Sequence, residues 1–291
     1  IVDCEKIIIG DETNPLLKNN FNALETGIYI ENNLISSTYG EIITNYNTFT
    51  NIAGNTHIYD YPFVTNDLPL SLNPSGCAIF GLNNVNTHPV KLKHVGNDDP
   101  LNIDFETCHK AIVINSITAI IQKNYTHQTE AAFLVYSNGQ IQAINDNYID
   151  DTYIGINLSG SNWGGINRNE ISNIKAYNFG VPVGFNYWGK GINWLQFSSS
   201  TSGGVNIANN TIVSDMDDFV IGIDASNTHN GKVFENSITF SSLSTTPSMS
   251  IYQNLIGISL NRSSGLDIQA NNVQGTNGIT QDQRRTCGIN M

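Results

Sequence analysis

Apolar residues in this chain recur every second position over short runs. In "INLSG", "VFENSITF" and "LDIQANNV" the Ile, Val, Leu and Phe positions fall on one side of an extended backbone. The runs are brief, are punctuated by Asn, Gly and Ser, and contain no convincing amphipathic helix of any length. The pattern predicts many short strands.

Two beats repeat along these strands. The first, [IV]-x-x-N-x-[IV], occurs at "IENNLI" (30–35), "IVINSI" (112–117), "INDNYI" (144–149), "INRNEI" (166–171), "IANNTI" (207–212), "VFENSI" (233–238), "IYQNLI" (251–256) and "IQANNV" (268–273). Roughly one or two such matches would arise by chance, so the repeat is real. The second beat is an apolar-Gly-apolar strand around Gly155, Gly184, Gly222, Gly257 and Gly288, with a weaker copy at Gly27. Short strands joined by loops of unequal length cannot bury a face alone, whereas stacking them does. The motif asparagines Asn33, Asn115, Asn147, Asn169, Asn210, Asn236 and Asn271 are expected at bends, because Asn tolerates the left-handed region and its amide can bond nearby backbone.

This rhythm resembles the right-handed parallel β-helix of pectin-degrading enzymes and of secreted bacterial surface proteins. The resemblance covers essentially the whole sequence, most clearly residues 105–291. It implies one all-β domain over residues 1–291, a solenoid of about ten rungs with loop insertions and a length near ~50 Å. Ile, Val, Leu and Phe would stack inside. The resemblance leaves function open, since enzymes, phage spikes, adhesins and scaffolds share that fold. Four stretches interrupt the rhythm, at 59–76, 86–104, 186–204 and 240–254, and insertions of this kind often build a binding surface. The sequence opens on a strand and stops within a rung, so it is expected to be excised from a longer protein with neighbouring domains.

Composition narrows the partners. Asn occurs 42 times, only 13% of residues are charged, and the net charge is −12. That balance argues against nucleic acid or an anionic membrane, which need clustered Lys and Arg. No run of about 20 apolar residues is present to span a bilayer. An extracellular or cell-surface location is expected. Cys4, Cys77, Cys108 and Cys287 lack zinc or thioredoxin spacing. Each stands just before an apolar strand, which suggests a small inward side chain and leaves the disulfide state open.

Candidate chemistry is sparse. "SDMDDFVIGIDAS" places Asp217 and Asp218 before a Gly-beat strand, and the segment loosely resembles the paired catalytic acids of pectin-hydrolysing β-helix enzymes. An inverting glycosidase needs such a pair, set wide enough to admit a water. The rest of that family's set (N-T-D, G-H-G, R-I-K) is missing, with His229 and Arg262 the nearest pieces, so solvation of a loop is the favoured reading. Trp163, Tyr187, Trp188 and Trp194 cluster in sequence and could offer flat rings to a sugar, the alternative being that they cover the ends of rungs or pack loops onto the barrel. The pairs Asp98–Asp99 and Asp150–Asp151, with Asp146, could ligate calcium, but without EF-hand or nonapeptide spacing they read as solvated turns. No metal site is assigned and no cofactor is expected beyond a possible calcium. The sequence therefore points to a structural or adhesive surface module, with glycan as its candidate ligand. A lyase or glycoside hydrolase acting on an acidic polysaccharide is the alternative.

Overall fold

The computed structural model describes residues 6–11, 13–14, 16, 18–32, 40–54, 74–84, 90–99, 101–136, 141–160, 164–175, 189–195, 204–214, 220–241, 254–276 and 285–290. Among them every regular element is a strand, and the strands pair in parallel. They form three columns of nine. The first face stacks Lys6–Ile8, Gly40–Ile43, Val90–Val95, Thr118–Gln122, Ile141–Asn145, Gly164–Asn167, Val205–Ala208, His229–Phe234 and Ser264–Gln269. The second stacks Asn20–Asn22, Thr48–Thr50, Phe105–Glu106, Glu170–Ile174, Thr211–Ser214, Ser237–Ser241 and Asn272–Thr276 with the first halves of Tyr125–Tyr136 and Tyr148–Ser159. The second halves of those two long strands join Thr26–Asn32, Cys77–Asn83, Lys110–Asn115, Gly189–Leu195, Val220–Ser226, Asn254–Asn261 and Arg285–Asn290 in the third. The backbone visits each face once per circuit and returns one strand further along, as in a β-helix or solenoid. The described residues make nine such circuits, against about ten expected from the repeat count.

Because the pairing is in register, like stacks on like. On the third face Ile28, Ile79, Ile112, Phe133, Ile156, Ile192, Ile223 and Ile258 form one inward row. On the second, Phe21, Phe49 and Phe105 stack with ring centroids 4.8 and 5.1 Å apart, and Ile149, Ile171, Ile212, Ile238 and Val273 continue the row after Thr126. Ile121, Ile144, Ile166, Ile207 and Val233 line the first. Full burial of an aliphatic group of this size is worth about 1.5–3 kcal/mol, and nearly all of these are below a few per cent exposed.

The Asn beat marks the corner between the first and second faces. Asn124, Asn147, Asn169, Asn210, Asn236 and Asn271 lie one above another. In each step the backbone N–H and Nδ2 of one donate to Oδ1 of the next at 2.8–3.1 Å. Nδ2 also donates to a backbone carbonyl one circuit back, that of Ile121, Ile144, Ile166, Ile207 or Val233 for Asn147 through Asn271. Asn47 and Asn124 belong to this corner although "TNYNTF" and "IQKNYT" miss the motif. "IVINSI" instead straddles the end of the third face, "IYQNLI" leads into a third-face strand, and Asn33 lies outside the described residues. The left-handed position is not the asparagine. It is the residue before it: Tyr46, Lys123, Asp146, Arg168, Asn209, Glu235 and Ala270 have φ between 53° and 60°. The asparagine serves as hydrogen-bonding glue for the turn that its neighbour strains.

The Gly beat has a steric cause. Gly155, Gly191, Gly222 and Gly257 sit where the third face leaves the second, with their Cα hydrogens against the next coil's carbonyl and a second-face side chain. A methyl group on Gly222 would lie 2.7 Å from both the Gly257 oxygen and Ile238 Cγ2. Earlier coils fit Ala at this position (Ala78, Ala111, Ala132), all fully buried. Gly184 lies outside the described residues, and Gly191 holds the place in its coil.

Two expectations differ from the structure. The stretch "THPVKLKH" reads as a surface loop, yet Val90–Val95 is a first-face strand with Val90, Leu92 and His94 inward. The cysteines are not equivalent either. Cys108 belongs to the main core, whereas Cys77 packs in a separate cluster with Phe80, Val113, Leu134 and Tyr136 on the outer side of the third face. Burial pushes both thiols up, to about 11 for Cys77 and about 12 for Cys108.

Asn210→Ala removes four side-chain hydrogen bonds and strands buried partners on both sides. The expected loss is about 2–4 kcal/mol in urea unfolding. Gly222→Ala should cost about 1–3 kcal/mol by overpacking. A midpoint unchanged in either variant would contradict the roles given to the two beats.

Candidate functional site

At two adjacent coils the ladder asparagine is followed by tyrosine, in Asn124–Tyr125 and Asn147–Tyr148. Tyr125 pairs with Tyr148 in the second face, and the rings stack outside the barrel with centroids 4.5 Å apart and planes 8° from parallel. Burial, the Tyr148 phenol, and the Asp150 and Glu170 carboxylates push the Tyr125 hydroxyl up to about 12. Two residues further along the same strands, His127 faces Asp150, with Nδ1 3.0 Å from Oδ2. Asp150 Oδ1 also accepts from Ser172 Oγ at 2.7 Å and Asn173 Nδ2 at 2.6 Å. Ser172 thus bonds the carboxylate rather than the imidazole, so these three residues do not form a nucleophilic triad.

The tyrosines line a cleft of about 380 Å³ whose other walls are Asp98, Asp99, Lys123, Asn124 and Asp146. Its charges are largely compensated. Lys123 Nζ lies 2.6 Å from Asp98 Oδ2, and Arg168 grips Asp146 with Nε and Nη2 at 2.7 and 2.8 Å. Asp99 shapes the turn, accepting from Leu101 N at 2.9 Å and Asn102 Nδ2 at 2.7 Å. A rigid aromatic wall with hydroxyl, carboxylate and ammonium groups around it is chemistry suited to a polyhydroxylated ligand.

Beneath this cleft the asparagine ladder is broken. At the third coil the corner is enlarged, and Asp104 turns inward where the ladder would continue. It is fully buried. Its Oδ1 accepts from Asn97 N at 3.1 Å and Asn97 Nδ2 at 2.6 Å, and its Oδ2 accepts from Tyr125 N at 2.9 Å. Burial raises this carboxyl to about 7 despite those three bonds and the field of Lys18. Asn124 Oδ1, which elsewhere in the ladder would receive two N–H groups, makes no hydrogen bond of ordinary geometry here. His94 lies in the adjoining interior between Thr44 and Asn124, with Nδ1 2.9 Å from Thr44 Oγ1 and its ring near Phe105. Burial lowers His94 to about 4, with Thr44 and Asn124 acting in the opposite direction.

Of the sequence candidates, Asp98, Asp99 and Asp146 line this cleft and Asp150 lies beside it, whereas Trp194 does not. Trp194 is an inward residue of the third face and fully buried, accommodated by Gly231 across the barrel and by the small Ala225 next in its row. Its indole belongs to the core. Trp163, Tyr187, Trp188, Asp217 and Asp218 lie outside the described residues. Asp224 is paired to Lys190 at 2.6 Å, Asp151 to Lys175, and His229 contacts Ser264. Among the described residues no group of three His, Cys, Asp or Glu is placed to hold a metal ion, and no helix is long and apolar enough to cross a membrane. The tyrosine pair escapes a reading of the sequence alone. Its signal is the dipeptide Asn-Tyr recurring at the same corner of successive coils, visible only once the corner is known.

Trp194→Ala should destabilise the fold by about 3–5 kcal/mol, as loss of a large core side chain does. An unchanged unfolding midpoint would contradict its core placement. Comparison with protein-family models, curated proteins and solved structures finds no match to this protein.

Proposed function

We propose that this protein is a right-handed parallel β-helix of the pectin-lyase-like kind, serving as a secreted or cell-surface module that binds glycan. The observation that supports binding is the stacked pair Tyr125–Tyr148 beside a polar cleft. Saccharides pair well with such a wall because C–H faces meet aromatic carbon while hydroxyls meet fixed polar groups. The ammonium in the lining, that of Lys123, is already paired with Asp98, so the cleft suits neutral sugars better than uronates. The rod acts as a rigid support. Its parallel columns hold the two tyrosines at one height per coil, and this preorganisation lowers the entropic cost of binding.

One observation favours a catalytic alternative. The His127–Asp150 pair fixes an imidazole beside the tyrosines, as a general base would require. A lyase or hydrolase would then release reducing ends from a polysaccharide.

A panel of neutral and acidic oligosaccharides separates these readings. Binding to neutral members is expected, with Tyr148→Ala weakening it about tenfold or more while leaving the urea midpoint within about 0.5 kcal/mol. Binding indifferent to Tyr148 would exclude the cleft as the site. New reducing ends that His127→Gln abolishes would move the protein to the enzymes.

A further inference from the structure

The two walls of the cleft come from different coils. One is the turn that carries Asp98 and Asp99, entered through Asn97, and the other is the tyrosine stack that begins at Tyr125. They share one anchor. Asp104 accepts both polar hydrogens that Asn97 directs inward and the backbone N–H of Tyr125, with bonds of 2.6–3.1 Å. No asparagine could make the same set, because its Nδ2 would meet the Tyr125 N–H donor to donor. We propose that Asp104 is the positioning residue of the cleft, a buried carboxyl that ties the Asp98–Asp99 turn to Tyr125 and holds the two walls at a fixed separation.

The tie depends on ionisation. The three bonds favour the carboxylate, but burial disfavours it more and raises the carboxyl to about 7, so the closed cleft holds the proton more tightly than an opened, hydrated one would. Other ionisable groups surround Asp104. Lys18 is a cation acting on it, Lys123 is paired to Asp98, and Tyr125 titrates at about 12. His94, packed on Phe105, is held neutral down to about pH 4. Glu106, on the strand that follows, is half-buried and resides on the outer side. The protonated form therefore holds the walls most firmly, and the hold is lost as pH rises from the ordinary carboxylate range through about 7.

The cleft's role in binding rests on the functional reading above, and the test keeps the two apart by needing no ligand. Amide hydrogen exchange of the whole protein is measured between about pH 5.5 and 8.5, with protection at Asn97 and Tyr125 referred to the ladder amides Asn147 and Asn169, which bond carboxamide oxygens. The expected result is that relative protection of Asn97 and Tyr125 falls about tenfold or more on going from the acid to the alkaline end and levels off above about pH 7, as for an opening that hydrates a buried carboxyl. In Asp104→Asn it should be low and flat throughout, while Asn147 and Asn169 stay protected. Relative protection independent of pH in the native protein would overturn the proposal, as would Asp104→Asn amides protected like the native ones. Failure of every saccharide to bind would instead sink the functional reading and leave this profile untouched.

Discussion

A buried carboxamide has two donors and an acceptor to satisfy, and in this protein the nearest partner for each is the same group one coil away. The corner between the first and second faces is built on that reciprocity. Asn147, Asn169, Asn210 and Asn236 each receive two N–H groups at Oδ1 and return Nδ2 to the neighbouring coils. Such bonds admit one alignment only. A slip by one residue would strand several buried polar groups at about 1–3 kcal/mol apiece, so the ladder fixes the register in which isoleucine meets isoleucine. The left-handed residue ahead of each Asn costs energy that this network offsets. The glycine column closes the opposite side of the cross-section, letting third-face backbone approach the isoleucines of the second.

Where the reciprocity fails, the fold changes character. The third coil replaces the carboxamide by Asp104 and enlarges its turn, and its His94, with Thr44 of the coil before, occupies a row that later coils fill with aliphatic side chains. A carboxylate accepts but cannot donate, so Asn124 Oδ1 is left without the hydrogens that its counterparts receive. The cleft, the stacked tyrosines and the displaced turn all lie at this interruption. A solenoid of identical coils would present a uniform outer surface, and individuality enters through the coil that breaks the rule.

The sequence displays the repeat because stacked positions face identical surroundings and so accept the same residue. Asn147, Asn169, Asn210, Asn236 and Asn271 stand out for this reason, as do Gly155, Gly222 and Gly257. The same logic hides Asn47 and Asn124, whose flanking Thr44, Phe49 and Thr126 satisfy the geometry with a different side chain. It also conceals Val90–Val95, since two lysines and a histidine disguise an alternating strand, with the lysines outward and His94 within. Trp194 misleads through its proximity in sequence to other aromatics. Its place depends on Gly231, which comes from another face, and such cross-barrel complementarity leaves no local mark. The Tyr125–Tyr148 pair is likewise a relation between coils, and the acids around it are visible in the sequence only as isolated pairs.

The carboxamide carbonyls from Asn147 to Asn271 all point back toward the amino-terminal coils, since each accepting Oδ1 takes its hydrogens from the residue one step earlier. Aligned amide dipoles add, as they do along a helix, and polarise one another. The column therefore has poles, and its negative pole lies toward Asn124, which lines the cleft. A substitution several coils away, at Asn236 for example, would shorten the aligned column and alter the potential at the cleft without moving any atom that lines it.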